Sequence, residues 1–245
     1  MCEMCERQSW TAEALTRRKA LALALGLAAA GAAPMRARAA SDSPPPKPEN
    51  VVSPDEALNR LMEGNARYVS GVTKRQNFLT EREALSGGQN PFAGVLSCAD
   101  SRIGPEFAFD TGRGDLFVCR VAGNFVDPEN LASFEYAVDV LKTPLIMVLG
   151  HESCGAVKAT ISSIEQHVTL PGHLPALVDA LAPAVQAVAN SPGDRIANAT
   201  RENVRRGVET LKAATPILAM AAGEGRLKVV GGIYRLRTGQ VELIG

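Results

Sequence analysis

Phe92-Ala93-Gly94-Val95-Leu96-Ser97-Cys98-Ala99-Asp100-Ser101-Arg102 is the stretch on which the fold turns. Its first five residues form an apolar run of strand length, with no polar residue to mark a solvent face, so the run reads as a buried strand. A turn rich in Gly, Asn or Pro ordinarily follows such a run. Here a thiol, a carboxylate and a guanidinium follow at alternate positions: Cys98, Asp100 and Arg102.

A second apolar run, Leu145-Ile146-Met147-Val148-Leu149, ends in the same manner, with His151 and Cys154 just beyond it. Around these two runs, further strands are expected at 116–120 and 228–234. Residues 217–221 form a further strand candidate, and 240–244 follow a Thr238-Gly239 turn. Helical spacing of Ala57, Leu58, Leu61, Met62 and Ala66 predicts a helix over 54–69, opened by Ser53 as cap, Pro54 in the first turn and Glu56 completing a capping box. Further helices are expected over 131–141, 156–164, 176–189 and 198–214. Continuous apolar strands separated by helices indicate an α/β protein with a largely parallel central β-sheet flanked by helices, in one domain over 53–245.

Composition narrows the function. The chain has 245 residues, 46% hydrophobic and 21% charged, which excludes a disordered chain and a bundle of membrane helices. Formal net charge is zero, and a mildly acidic body remains once the basic leader is set aside, so a nucleic-acid partner is not expected. Residues 1–40 read as an export signal: Thr16-Arg17-Arg18-Lys19 precedes an Ala/Leu run over 20–33, and Ala37-Arg38-Ala39 fits a cleavage site. The paired arginines suggest the twin-arginine route, although Ala20 stands where that signal usually has Phe. The apolar run is short for a membrane span, which needs about 20 residues. The protein is therefore expected in the periplasm or otherwise exported, with no membrane association after cleavage; an uncleaved N-terminal anchor is the alternative. Residues 41–52, rich in proline, read as a linker.

Of the five cysteines, Cys2 and Cys5 precede the signal and would leave with it. The remaining three, Cys98, Cys119 and Cys154, are an odd number and no disulfide framework. In a parallel sheet, ligands bind at the C-terminal ends of strands. Two such ends offer Cys98 on one side and His151 with Cys154, three residues apart on one turn, on the other. Two thiolates and an imidazole suit Zn²⁺, and three protein ligands leave a fourth tetrahedral position open for catalysis. Taken singly, each residue also fits a plainer role, Cys98 as a small buried hydrophobe and His151 as an ordinary core residue. Together, each at the end of an apolar strand, they favour the metal. Cys119 lies within a strand and is assigned to packing; His167 and His173 are assigned no role.

The pattern C-x-D-x-R followed some fifty residues later by H-x-x-C resembles the β-class carbonic anhydrases. The likeness extends to GDLFVCRVAGN (114–124), SFEYAVDVL (133–141), GHESCGAVKA (150–159) and the tail GGIYRLRTGQV (231–241). The resemblance implies reversible hydration of carbon dioxide to bicarbonate by a zinc-bound hydroxide, in a homodimer or dimer of dimers with sites near the subunit contact. Two thiolates make zinc a weaker Lewis acid than neutral imidazoles would, so Asp100 is expected to orient the hydroxide and Arg102 to hold Asp100 off the metal. In a closed alternative, Asp100 itself becomes the fourth ligand. Backbone N–H groups around Gly155, at a helix start, are placed to receive the oxygen that gains charge. By the same resemblance, Gln89 matches a substrate-contacting glutamine and Tyr136 a pocket-lining tyrosine; an ordinary loop amide and a core tyrosine are the alternatives. The chain departs from the family where Arg235 stands at a commonly acidic position and where Val121 follows Arg120 in place of a frequent Asn. Rival functions are hydrolysis of carbon disulfide or carbonyl sulfide at the same site, zinc storage, and thiol redox chemistry at Cys2 and Cys5. Asp100 and Arg102 argue against storage, because a structural site needs a fourth ligand and no arginine.

Overall fold

The computed structural model describes residues 51–244, with the exception of residue 75. The expected export signal, most of the linker, and Cys2 and Cys5 lie outside the described residues. In chain order the elements are α1 (Pro54–Val69), α2 (Phe78–Ser86), β1 (Ala93–Ser97), α3 (Pro105–Ala108), β2 (Leu116–Arg120), α4 (Pro128–Asp139), β3 (Leu145–His151), α5 (Gly155–Gln166), α6 (Leu174–Ala187), α7 (Arg195–Ala213), α8 (Ile217–Gly223), β4 (Lys228–Tyr234) and β5 (Val241–Ile244). Among the described residues no helix is long and apolar enough to cross a membrane.

The sheet order is β2-β1-β3-β4-β5, parallel throughout except for β5, which turns back antiparallel on β4. From β1 the chain moves outward to β2, then crosses back over β1 to lay down β3 on its other side. The C-terminal ends of β1 and β3 therefore face a crevice at the point where the strand order reverses, the usual place for a ligand in an open α/β sheet.

Every residue of β1 and β3 is buried, because both faces of the sheet are covered. The period-2 alternation of a strand divides them between two cores. Ala93, Val95, Leu145, Met147 and Leu149 point to the side of Ala57 and Leu61 on α1, with Phe109. Leu96, Ile146 and Val148 point to the side of Phe134 on α4, Val204 and Leu211 on α7, and Leu218 on α8. Truncating the fully buried Leu61 to Ala would remove about 2–5 kcal/mol of stability. Helix α7 seats closely because Gly150 and Gly231 lack side chains beneath it: a Cβ there would come within 2.6 Å and 2.8 Å of Val204.

Local signals account for most element ends. The Ser53 hydroxyl accepts the N–H of Glu56 at 3.2 Å, while the Glu56 side chain pairs with Arg60 instead of closing the reciprocal bond expected of a capping box. Asp127 caps α4 and Asp194 caps α7, which start three residues earlier than the apolar periodicity suggests. Helix α1 is tied to distant chain by the buried amide of Asn65. It donates to the carbonyls of Ala108 (2.9 Å) and Gly239 (2.8 Å) and accepts the N–H of Val241 (2.8 Å).

One expectation is overturned. Residues 217–221, expected as a strand, form the helix α8. Its sequence, ILAMAAG, is rich in the strongest helix former, and Leu218 and Ala221, three apart, turn one face to the core. A short apolar run does not by itself distinguish the two structures. Helices α2 and α3 carry too weak an apolar pattern to be expected from sequence.

Candidate active site

Residue Cys98 follows the last residue of β1, and His151 is the last residue of β3; parallel pairing of Ser97 with Leu149 brings the two strand ends side by side. Residue Cys154 is the N-cap of α5, three residues on, after Ser153 adopts a left-handed conformation (φ 53°) that turns the chain back towards the sheet end. The result is a buried cluster in which the Sγ atoms of Cys98 and Cys154 and a ring nitrogen of His151 lie within 4.8 Å of one another.

The electrostatics of the cluster suit ligands for a cation. The His151 Nδ1 is bonded to the Glu152 carbonyl at 2.8 Å, which fixes the proton on Nδ1 and leaves Nε2 as the free lone pair. That Nε2 is buried and has no hydrogen-bond partner. Cys98 is the thiol of the pair that ionises first: the Cys154 thiol hydrogen-bonds to it, against the opposing effect of burial, and the N–H of Gly123 donates to its Sγ at 3.3 Å. The same shared hydrogen bond and burial push Cys154 up, while the N–H groups of Val157 and Ala156 at the start of α5 pull the other way. A dication held here would remove the conflict, since both thiols could then be ionised together. Two thiols, an imidazole and an orphaned ring nitrogen fit a metal ion, and Cys98, His151 and Cys154 are the residues that would hold it.

Beside the cluster, Asp100 is turned to Arg102. The guanidinium grips both carboxylate oxygens, Nε to Oδ1 at 2.9 Å and Nη2 to Oδ2 at 2.6 Å, and the Arg102 backbone N–H adds a third bond to Oδ1 at 2.9 Å. These bonds hold the Asp100 carboxyl well below the usual carboxylate range, outweighing burial. Its Oδ2 remains 3.9 Å from the His151 Nε2, at the edge of the cluster and outside the ligand set.

Residues that sequence reading did not assign complete the frame. Arg120, at the end of β2, donates to the carbonyls of Cys98 (3.0 Å) and Asp100 (2.7 Å) and so pins the loop that carries both. Gly123 presents its N–H to Cys98 from a left-handed conformation (φ 86°) in which a Cβ would meet Leu181 at 2.8 Å; the buried Asn203 of α7 holds the Gly123 carbonyl at 2.8 Å. Glu152 is held by Arg235 and by the N–H of Leu236. A charged residue closing the apolar strand β2 was a visible sign for Arg120; nothing in the local sequence marks Asn203.

The remaining expected residues fall as follows. Gly155 is the first residue of α5, exposed, and a Cβ there would meet nothing within 4 Å, so the helix start faces open space. Gln89 is exposed in the loop before β1. Tyr136 lies on α4, 48% exposed, its ring 6.4 Å from that of Phe117 on the edge strand β2, which corrects the core-packing alternative for it. Neither is hydrogen-bonded to the cluster. Cys119 is half-buried in β2, where burial pushes its thiol up. His167 and His173 are exposed at helix ends away from the three ligands.

Comparison with known proteins matches this architecture. The family model described as carbonic anhydrase covers residues 93–241. The carbonic anhydrase of Mycolicibacterium smegmatis is 39% identical over 192 residues, spanning 78% of this chain and 93% of that protein. That of Synechococcus elongatus is 31% identical over 194 residues, spanning 75% and 70%. Among solved structures, the β-carbonic anhydrase CcaA superposes with a TM-score of 0.60 at 29% identity, covering 77% of this chain and 95% of that one. One of two tetrameric β-carbonic anhydrases from Sordaria macrospora gives 0.62 at 26% identity, covering 78% and 95%. Hydration of carbon dioxide is the general reaction of these enzymes, and the parallel sheet, the converging strand ends and the extent of the likeness place this chain in the β-class carbonic anhydrase family.

Proposed function

We propose that the protein catalyses the reversible hydration of carbon dioxide to bicarbonate and a proton, using zinc held by Cys98, His151 and Cys154. The observation that carries this reading is the convergence of these three buried ligands beside an Asp100 already engaged by Arg102. Zinc at such a site supplies Lewis acidity, bringing the pKa of a coordinated water towards neutrality so that hydroxide is available as nucleophile.

The chain's own residues do the rest. Arg102 keeps Asp100 ionised and turned away from Cys98, His151 and Cys154, so that it would not join them in holding the ion. Asp100, at the edge of the cluster, accepts a hydrogen bond from the nucleophile and aims its lone pair at carbon dioxide. The open N-terminus of α5 at Gly155 offers backbone N–H groups to the oxygen that gains charge. Gln89 and Tyr136 are assigned to the substrate side of the pocket. Both are exposed in the single chain, which leaves them available at the subunit contact of a homodimer or dimer of dimers. Substrate and product are small molecules; no nucleic acid or membrane partner is assigned. The Arg17-Arg18 leader supports export of this body, residues 53–245, to the periplasm; the size and compartment of the protein in fractionated cells test that assignment.

Stopped-flow carbon dioxide hydration by the purified zinc-loaded protein, scanned from about pH 6.5 to 9, tests the reading. Activity at neutral pH that Cys98→Ser abolishes is the expected result. Activity rising only at the alkaline end would instead place Asp100 on the metal at rest. No activity at any pH, with one zinc per chain, would overturn the proposal and direct the test to carbon disulfide and carbonyl sulfide.

A further inference from the structure

The hydrogen bond from His151 Nδ1 to the Glu152 carbonyl decides which ring nitrogen faces the cluster, so whatever fixes Glu152 also aims the imidazole. Glu152 is fixed at three points by one distant segment. Its N–H donates to the Tyr234 carbonyl at 3.1 Å, where β3 and β4 end together. Its Oε2 accepts the N–H of Leu236 at 3.0 Å and its Oε1 accepts Nη1 of Arg235 at 2.9 Å. Arg235 is in turn held on its other nitrogen by Glu242 of β5, Nη2 to Oε2 at 2.5 Å. One guanidinium thus joins the residue after the candidate ligand to both strands of the C-terminal hairpin.

The surroundings make this more than a surface ion pair. A cavity of about 310 Å³ lies against the clamp, lined by His151, Glu152, Thr200, Arg201, Ile233 and Arg235. It leaves the loop unsupported by packing on that side. Ser153, the next residue, is in a left-handed conformation that only a well-held loop maintains in a non-glycine residue. An acid in place of Arg235 would face the Glu152 carboxylate with like charge. In this chain the arginine and Glu152 form a matched pair.

We propose that Glu152 is a positioning residue for the His151 ligand and that Arg235, braced by Glu242, is the clamp that holds it. This rests on the metal site proposed above. With the clamp in place, the Glu152 carbonyl keeps the proton on Nδ1 and Nε2 directed at the metal. With the clamp cut, the loop relaxes into the adjoining cavity, the imidazole loses its fixed orientation, and the metal is held less tightly.

Zinc release to a chelator from the full-length metal-loaded protein tests this, together with the visible spectrum of the cobalt-substituted form. Glu152→Ala is expected to speed release about tenfold, within the range for loss of a residue that orients a ligand. Arg235→Met is expected to speed it by roughly threefold, and Arg235→Lys to recover part of the wild-type rate. The cobalt bands should shift in Glu152→Ala and Arg235→Met, since the ligand field reports the imidazole directly. The denaturant midpoint of the metal-free protein separates positioning from simple stability. If metal-free and metal-loaded midpoints fall equally while release rates and cobalt bands are unchanged, the clamp is only structural and the inference is overturned. If wild-type protein does not take up one metal per chain, the metal site fails first, and that outcome is read from the wild type alone.

Discussion

The loops that end β1 and β3 supply ligands to the same cluster, yet they are held in opposite ways. The first is closed by nearby chain: Arg102 grips Asp100 two residues away, and Arg120, on the neighbouring strand, holds the loop carbonyls across 22 and 20 positions. The second is held from afar, by Arg235 and Leu236 at 83 and 84 positions from Glu152. The first loop carries Asp100, proposed above to orient the nucleophile, and it brings its own counter-charge in Arg102. The second carries two of the three ligands, and its geometry depends on the C-terminal hairpin. A local lock tolerates change elsewhere in the fold, whereas a remote one transmits it.

The largest effect that would sharpen this contrast comes from Asp100→Asn. An amide cannot match the guanidinium at both oxygens and presents an N–H₂ where the carboxylate accepts the nucleophile's hydrogen bond, so kcat should fall about 100-fold. Because the pair is local and Arg102 is exposed, metal content and denaturant midpoint should stay at wild-type values. A lowered midpoint would show that this loop supports the fold and would break the contrast.

A carboxylate held by a distant arginine should behave the other way. Asp110 is nearly fully buried and accepts Arg67 Nε at 2.6 Å and the Lys74 N–H at 3.0 Å. Burial alone would raise its pKa, but Arg67 and the Lys74 N–H outweigh that and lower it. A lowered folded-state pKa gives stability that is complete above the unfolded value of about 3.9 and is lost as pH falls through the folded value. Asp110→Asn should therefore cost about 2 kcal/mol at pH 7 by urea denaturation, with kcat little changed. The difference from wild type should shrink below about pH 4. A difference that persists undiminished at pH 3 would mean that packing, not charge, is what Asp110 contributes.

The smallest effect is expected at Arg120→Met, which keeps the bulk of the side chain and removes its two bonds to the loop. A drop in kcat of about tenfold, with KM unchanged, is the size expected when a residue supporting a catalytic group is lost. An unchanged kcat would show that the Asp100–Arg102 pair needs no help from the neighbouring strand.

What the sequence revealed follows the same division. Cys98, Asp100, Arg102, His151 and Cys154 stand out because each interrupts an apolar run, and a run with a reactive group at its end is visible without knowing what lies beside it. The alternation of continuous apolar strands and helices likewise yields the parallel sheet. Arg120 was visible only as a charge closing β2, and Asn203 and the Glu152–Arg235 pair not at all, because their meaning depends on strand register and helix docking, which no local spacing encodes. Arg235 has no local mark of its role; of the carboxylates that explain it, Glu152 lies 83 positions away and Glu242 seven, across the hairpin turn. The misassigned segment 217–221 failed for a related reason. ILAMAAG is apolar enough for a buried strand, and only its docking of Leu218 and Ala221 against the core declares it a helix.

The three bonds of Asn65 set a timetable for the nascent chain. Its partners Gly239 and Val241 are translated 174 and 176 residues after it. At about 5–20 residues per second, roughly ten to thirty-five seconds pass between the emergence of α1 and that of the hairpin that seals it. Ala108 follows Asn65 by only 43 residues, but throughout that interval the other two bonds of the amide can be made only to water, and the apolar face of α1, with Ala57 and Leu61, is not yet sealed on the sheet. The first of the described helices to be made is thus among the last to be locked.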